Sequence, residues 1–283
     1  MRLFSIFKSS KTVYFPGCAI YFNNKEYFEL YKKILHKLGI EFKFVNKKIC
    51  CGLPALELGY DAEARKIAKR NFEIFKEENI THIITSDPGC HKMFLQDYPN
   101  LIPDWNIKIE NLWKIILDKL ESKSHLIKER TIEKVTYQDS CYLGRYLDIY
   151  DEPRKILQLL GYKLVEMNDS RENAVCCGSC GQLPFINIDL ANNLAKERIL
   201  QAKRAGIKKI ITNSINDFQI LSKNSNGEIE IVDFSEILAE SLGIGKKDSE
   251  RFKEEVEEEE ILDIIDKDLE NSEINELIGE EEK

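Results

Sequence analysis

Eight cysteines are the residues of this chain whose type and spacing could do chemistry. They fall into two sets of four, and each set holds an early cysteine, an adjacent pair and a further cysteine. The first set is Cys18, Cys50, Cys51 and Cys90, and the second is Cys141, Cys176, Cys177 and Cys180. Four thiolates are what a cubane [4Fe-4S] cluster or an all-cysteine zinc site requires. Each set therefore predicts one metal centre, with all eight cysteines as ligands.

The spacing within the sets favours iron–sulfur clusters without excluding zinc. Zinc sites usually draw their ligands from short Cys-x-x-Cys knuckles, and only Cys177 and Cys180 have that spacing. Ligands that are spread along a whole structural unit fit a larger, multi-atom cluster better. We therefore predict two [4Fe-4S] clusters, with zinc as the alternative. A disulfide framework is disfavoured, because adjacent cysteines such as Cys50 and Cys51 bridge each other only with strain.

The segments that must position these cysteines occur twice along the chain, over residues 12–120 and 134–243. Each copy runs through a β-rich stretch that ends near a cysteine, an amphipathic helix, a short strand and a Cys-Cys-Gly element. A longer helix, a strand, a brief helical piece, another strand and a closing helix follow. The short strands are predicted at residues 41–45 and 163–167. This alternation predicts an α/β fold with two pseudo-repeated βαβ lobes, each containing a parallel sheet.

Parallel sheets collect ligand groups where their strands end and the loops begin. Cys18, Cys90 and Cys141 each follow the carboxyl end of a predicted strand, and both Cys-Cys-Gly elements come soon after one. We therefore expect a cluster site at the strand ends of each lobe. The glycines after the paired cysteines, Gly52 and Gly178, would let the backbone pass close to a cluster.

The charge of the chain is concentrated in its last segment. Residues 246–283 hold 17 acidic and 6 basic residues, while the formal net charge of the whole chain is −8. The rest of the chain is therefore nearly neutral, and without a basic stripe it predicts no nucleic-acid partner. We predict that residues 246–283 form an acidic tail outside the fold, either disordered or a partner-binding helix that folds on docking.

The hydrophobic pattern predicts a cytoplasmic protein without direct membrane insertion. The apolar residues before Lys8 are too few for a signal-peptide core, and no run approaches the length that spans a bilayer.

His91 follows Cys90 directly and could support or bind a metal, or it could simply pack. No Ser-His-Asp pattern, P-loop or Gly-x-Gly-x-x-Gly string is present, so no catalytic residue is assigned.

Longer strings around the cysteines resemble the Cys-Cys-Gly domain family. They lie at residues 14–18, 50–55, 137–145, 150–154 and 171–178. The family includes the B and D subunits of heterodisulfide reductase and the iron–sulfur subunits of glycolate, glycerol-3-phosphate and lactate oxidation systems. The resemblance covers about residues 12–243 and implies an iron–sulfur electron-transfer or oxidoreductase subunit similar to those B and D subunits. A subunit of a 2-hydroxy-acid oxidation complex is a second hypothesis, and a non-catalytic zinc-binding protein is a third.

This chain departs from the family pattern, in which each repeat carries Cys, Cys-Cys-Gly and Cys-x-x-Cys. The four residues in the place of that last Cys-x-x-Cys motif are here called the slot. In the first copy the slot is Asp87-Pro88-Gly89-Cys90, and in the second copy it is residues 214–217, which hold no cysteine. Disulfide reduction by a pair of five-cysteine, non-cubane clusters is therefore not implied. Cys180 is predicted to restore the count to four, with a free buried thiol as the alternative. Asp87 could supply an oxygen ligand or cap a loop, and the resemblance keeps zinc possible at one of the two sites.

Electron partners are also suggested by the resemblance. Relatives often carry a ferredoxin-like segment of the form Cys-x-x-Cys-x-x-Cys-x-x-x-Cys-Pro, and this sequence does not contain one. The resemblance therefore implies that electrons pass to or from a ferredoxin-like or flavoprotein subunit.

Overall fold

The computed structural model describes residues 11–45, 49–129 and 131–245. The described residues up to Gly243 belong to one structural unit. The predicted acidic tail, residues 246–283, lies outside the described residues.

The first repeat is built on a three-stranded parallel sheet. Its strands are β1 (Thr12–Phe15), β2 (His82–Thr85) and β3 (Lys108–Glu110), in the order β1-β2-β3. The short strand predicted at residues 41–45 is reduced to one parallel bridge between Val13 and Lys43. The Lys43 amide donates to Thr12 O there, and the Tyr14 amide donates to Lys43 O.

The helices of the first repeat connect and cover these strands. They are α1 (Cys18–Asn23), α2 (Lys25–Lys37), α3 (Leu53–Glu57), α4 (Asp61–Glu77), α5 (Pro88–Lys92), α6 (Tyr98–Leu101) and α7 (Leu112–Ser122), with a π-helical turn at Met93–Asp97 between α5 and α6. The long helices form because apolar residues recur at helical spacing and bury one face. In α4, for example, Ala64, Ala68, Phe72 and Phe75 are buried.

The second repeat contains a four-stranded parallel sheet. Its strands are β4 (Glu133–Gln138), β5 (Tyr162–Leu164), β6 (Lys209–Thr212) and β7 (Glu230–Asp233), in the order β5-β4-β6-β7. Its helices are α8 (Asp151–Leu159), α9 (Leu183–Ile186), α10 (Ile188–Arg204), α11 (Ile215–Ser225) and α12 (Phe234–Ser241). Both repeats thus have parallel sheets with helical connections, which confirms the predicted α/β fold.

Each repeat has a hydrophobic core that reaches its cysteines. Cys51 and Cys90 belong to the core of the first repeat, and Cys177 belongs to the core of the second. The repeats also pack on each other, since the rings of Trp113 and Phe234 lie 4.8 Å apart, centroid to centroid. These buried cysteines are therefore held by well-packed elements.

Candidate metal centres

The first centre brings together the four cysteines of the first repeat. Cys18 begins α1 just after β1, Cys90 lies in α5 just after β2, and the Cys50-Cys51 pair precedes α3. The Cys90 thiol donates to the Cys51 sulfur at 3.2 Å. Side-chain hydrogen bonds also link Cys18 to Cys50 and Cys50 to Cys51. The four thiols therefore form one continuous group at the carboxyl ends of the strands.

Asp87 lies beside this group and acts as a helix cap. Its Oδ1 atom accepts a hydrogen bond from the Cys90 amide at 2.7 Å, which makes it the N-cap of α5. A Cβ atom at Gly17 would lie only 2.6 Å from Asp87 Cβ, so a glycine is needed there. Burial raises the pKa of Asp87. The observed contact matches the loop-capping alternative, and a ligand role for Asp87 stays a prediction.

The glycine of each Cys-Cys-Gly element directs its amide towards the first cysteine of the pair. Gly52 has φ +89° and Gly178 has φ +92°, in the left-handed region that favours glycine. The Gly52 amide donates to Cys50 Sγ at 3.4 Å, and the Gly178 amide donates to Cys176 Sγ at 3.3 Å. A Cβ atom at Gly178 would also collide with the Ala191 carbonyl oxygen. The sequence Cys-Cys-Gly therefore fixes a local geometry that stabilises negative charge on the first sulfur.

The second centre brings three of its four predicted ligands together. The sulfur atoms of Cys141, Cys176 and Cys180, here called the thiol trio, all lie within 4.8 Å of one another, and those of Cys176 and Cys180 are 3.3 Å apart. Cys177 lies outside the thiol trio. It is buried, and its thiol donates to the Ser179 hydroxyl oxygen at 3.5 Å. The structure thus places Cys180 beside Cys141 and Cys176, whereas Cys177 lies on the buried side of the second centre.

Asp217 is a residue of this centre that sequence reasoning does not single out. It is buried, the Ser179 hydroxyl donates to its Oδ1 atom, and its carboxyl group faces Cys177. Burial raises the pKa of Asp217 to about 6. Asp217 is the fourth residue of the 214–217 slot, where Cys90 stands in the first repeat. Alignment of the two slots is the signal that could have revealed it.

In each centre, one cysteine sulfur accepts hydrogen bonds from two neighbouring thiols. Hydrogen bonds from Cys18 and Cys51 lower the pKa of Cys50 to about 3. Hydrogen bonds from Cys141 and Cys180 lower the pKa of Cys176 to about 2. A thiolate therefore forms readily at the first cysteine of each Cys-Cys pair.

The neighbouring thiols hold their protons more tightly. The hydrogen bond to Cys50 raises the pKa of Cys18, the hydrogen bond to Cys176 raises that of Cys141 to about 12, and burial raises that of Cys90 to about 12. These thiols bind metal only after losing their protons, and crowded sulfur donors suit soft metal sites such as iron–sulfur clusters or zinc.

The cysteines of both centres are free thiols. The sulfur atoms of Cys51 and Cys90 lie 3.2 Å apart and those of Cys176 and Cys180 lie 3.3 Å apart, well beyond the ~2.05 Å of a disulfide bond. Convergent thiols that are not bonded to each other remain available as ligands. The donor set therefore fits a metal or cluster at both centres.

A buried ion-pair network holds the loops of the second centre in place. The Arg154 guanidinium donates to both carboxylate oxygens of Asp139, at 2.7 and 2.9 Å, and to Glu166 at 2.6 and 3.0 Å. Asp139 also accepts from the Arg171 amide at 2.8 Å. Asp139 stands two residues before the first cysteine of this centre, and Arg171 stands in the segment that leads to the Cys-Cys pair. The network therefore ties together the two chain segments that carry these cysteines.

Tyr142 connects the surroundings of the two centres. Its hydroxyl donates to Glu57 Oε1 at 2.6 Å and accepts from the Gly181 amide at 3.1 Å. The Gln182 side chain donates to Glu57 Oε2 at 2.8 Å. Because Tyr142 directly follows one cysteine of the thiol trio and Gly181 follows another, the second centre is hydrogen-bonded to α3 of the first repeat.

The imidazole of His91 is neutral at pH 7. The residue is buried, and burial lowers its pKa to about 4. A buried ring fits packing, and a neutral imidazole is also the form that binds a metal, so both alternatives for this histidine stay predictions.

Among the described residues, no helix is both long and apolar enough to cross a membrane.

Comparison with known proteins places these observations in a family. The family model of the cysteine-rich domain, CCG, matches twice, at residues 12–95 and 135–216. Among similar proteins is the D subunit of the dihydromethanophenazine:CoB–CoM heterodisulfide reductase of Methanosarcina mazei, 29% identical over 83% of this chain. FadF of Bacillus subtilis, named a probable iron–sulfur-binding oxidoreductase, is 28% identical over 75% of this chain. The EtfAB:quinone oxidoreductase of Syntrophomonas wolfei is 29% identical over 62%.

These relatives are longer than the region they share with this chain. The match covers 60% of the Methanosarcina mazei subunit, 31% of FadF and 24% of the Syntrophomonas wolfei protein. Each match is to a protein whose name gives it an oxidoreductase activity or a place in an oxidoreductase. The two segments matched by the family model contain all eight cysteines described above, four in each segment.

Proposed function

This chain belongs to the cysteine-rich domain family, and we propose that it is an iron–sulfur electron-transfer subunit with one cluster in each repeat. The observation that carries the proposal is the contact among thiols in both repeats, through the hydrogen-bonded thiols of the first repeat and the thiol trio of the second. Both clusters are proposed to be [4Fe-4S] clusters, each held by the residues of its own repeat.

The proposed ligands of the first cluster are Cys18, Cys50, Cys51 and Cys90. In the second repeat the thiol trio would supply three ligands. The fourth would come from the buried side of that centre, where Cys177 is the thiol predicted from the sequence.

The chain's own residues would shape the redox behaviour of these clusters. When bound, an iron–sulfur cluster supplies a site for one-electron oxidation and reduction, and hydrogen bonds to the sulfurs tune its potential. The Gly52 and Gly178 amides already donate to the first sulfur of each Cys-Cys pair, and they would stabilise the thiolate in each site. The buried core around Cys51 and Cys177 would keep water from one side of each centre.

The chain is proposed to transfer electrons within an oxidoreductase complex, as a subunit similar to the D subunit of heterodisulfide reductase. Support comes from the match to the Methanosarcina mazei heterodisulfide reductase protein over 83% of this chain. The partner is proposed to be a ferredoxin-like or flavoprotein subunit that exchanges electrons with the clusters. The match covers 60% of that relative, so the proposal extends to electron transfer and not to the relative's substrate.

Redox titration monitored by electron paramagnetic resonance tests this function. Anaerobically purified protein should show signals that appear on reduction with dithionite and disappear on reoxidation, because each cluster takes up one electron reversibly. Two sets of signals with separate midpoint potentials are expected, since the donor contacts of the two centres differ. A protein that shows no reversible signal between its oxidised and reduced forms would contradict the proposed electron transfer.

A further inference from the structure

Asp217 has the same place in the second repeat that Cys90 has in the first. Cys90 is the fourth residue of the slot after β2, and Asp217 is the fourth residue of the slot after β6. In both slots the first side chain accepts from the amide of the fourth residue. Asp87 Oδ1 lies 2.7 Å from the Cys90 amide nitrogen, and Ser214 Oγ lies 3.4 Å from the Asp217 amide nitrogen. Cys90 and Asp217 therefore occupy equivalent positions, each in the same kind of turn beside the metal centre of its own repeat.

The neighbours of these two side chains also correspond. Cys90 contacts Cys51, the second cysteine of the first Cys-Cys pair, with 3.2 Å between the sulfurs. Asp217 faces Cys177, the second cysteine of the second pair. A carboxylate thus replaces a thiol within an otherwise repeated arrangement.

One oxygen of this carboxylate meets no donor in good hydrogen-bond geometry among the described residues. The Ser179 hydroxyl donates to Oδ1, whereas Oδ2 is buried without such a donor, and the Cys177 thiol and the Ser214 hydroxyl lie beside the carboxyl group. Asp217 as a whole is only 2% exposed. Buried polar atoms are nearly always satisfied, so an unpaired carboxylate oxygen indicates a missing donor or cation. Asp87 provides a contrast, because its carboxylate is used to cap α5.

We infer that the Asp217 carboxylate, rather than the Cys177 thiol, is the fourth ligand of the second centre and binds one iron atom there. The thiol trio leaves one corner of a four-iron cluster for another donor. Ser179 holds the carboxylate through Oδ1, which leaves Oδ2 for the metal. The four proposed ligands of the first cluster are all sulfur atoms, whereas the second cluster would have three sulfur ligands and one oxygen ligand. This inference rests on the proposed function, because it requires an iron–sulfur cluster at the second centre.

Substitutions at Asp217 test the inference by Mössbauer spectroscopy on protein loaded with isotopically enriched iron. In the unaltered protein, one iron site should show the larger isomer shift of oxygen ligation. Asp217→Cys should keep the iron and move that site to all-sulfur values. Asp217→Asn should lose about one iron of roughly eight per chain, because a neutral amide binds iron poorly and the thiol trio retains the other three.

Two further variants serve as controls. Cys177→Ala should keep the full iron content, because the inference gives the fourth position to the carboxylate. Asp118→Asn should change neither iron content nor spectrum, since this carboxylate is more than half exposed on α7 and belongs to neither centre. Loss of iron in Cys177→Ala, together with full iron in Asp217→Asn, would assign the fourth position to the thiol and overturn the inference.

The remaining outcomes separate the inference from the proposed function. If Asp217→Asn and Asp217→Cys both keep the iron content and the spectrum of the unaltered protein, Asp217 is not a ligand, while the cluster assignment stands. If Asp217→Asn fails to fold, comparing the Mössbauer spectra of Asp217→Cys and the unaltered protein still shows whether Asp217 is a ligand. Identical spectra would overturn the inference. If the unaltered protein binds no iron, both the inference and the proposed function are wrong.

Discussion

Replacing Cys90 by alanine should remove up to about half of the bound iron, and replacing Cys180 by alanine should remove up to about the other half. A cubane cluster that loses one of its thiolate ligands becomes labile or loses an iron atom. Cys90 contacts Cys51 in the first centre, and Cys180 lies 3.3 Å from Cys176 in the second, sulfur to sulfur. Alanine is preferred to serine because a serine oxygen can itself bind iron. Iron and sulfide analysis of anaerobically purified variants gives the result.

The two losses should add in the double variant, because ligands from different repeats serve different clusters. Met93→Leu is the matched control for packing. Met93 is fully buried in the same core as Cys90, and a leucine of similar volume should leave the iron content unchanged. Full iron content in the Cys180→Ala variant would show that Cys180 is a free thiol and that the second centre obtains its ligands elsewhere.

Asp139→Ala should lower the free energy of unfolding by about 3–5 kcal/mol, because it leaves the buried Arg154 guanidinium without its most buried partner. The Arg154 and Asp139 side chains are only 4% and 3% exposed. Asp139 also accepts from the Arg171 amide, so the substitution frees the chain segment before the second Cys-Cys pair. Chemical denaturation of the variant and the unaltered protein, each prepared with the same cluster content, measures the difference.

An exposed ion pair provides the control for Asp139. Lys114 and Asp118 are more than half exposed and lie one helical turn apart in α7. Asp118→Ala should therefore change the free energy of unfolding far less than Asp139→Ala. A loss of stability in Asp139→Ala no larger than that in Asp118→Ala would show that the buried network contributes little. Replacing Asp139 and Arg154 together with leucine should be milder than Asp139→Ala, since no unpaired guanidinium remains buried.

The repeated architecture could be predicted from sequence because its signals are local. The helix of residues 61–77 follows from apolar residues at helical spacing, and the strands at 82–85 and 209–212 follow from short β-branched runs. The strand ends then place Cys18, Cys90 and Cys141 near the sites, as parallel sheets require. The match to the cysteine-rich domain family confirms the resemblance that the strings around the cysteines indicated.

The details that could not be predicted depend on contacts between distant parts of the chain. The strand expected at residues 41–45 makes only one bridge, because pairing depends on the neighbouring strand as well as on propensity. The contact between Cys177 and Asp217 joins residues about forty positions apart, and no local pattern encodes it. The hydrogen bond from Tyr142 to Glu57 likewise spans the two repeats. Such contacts become visible only when the sheets are assembled.

Quantification of iron, sulfide and zinc in anaerobically purified protein tests the central claim most directly. If both centres hold cubane clusters, the protein should be brown and contain roughly eight iron and eight sulfide per chain. A colourless protein with about two zinc per chain and no sulfide would contradict the account.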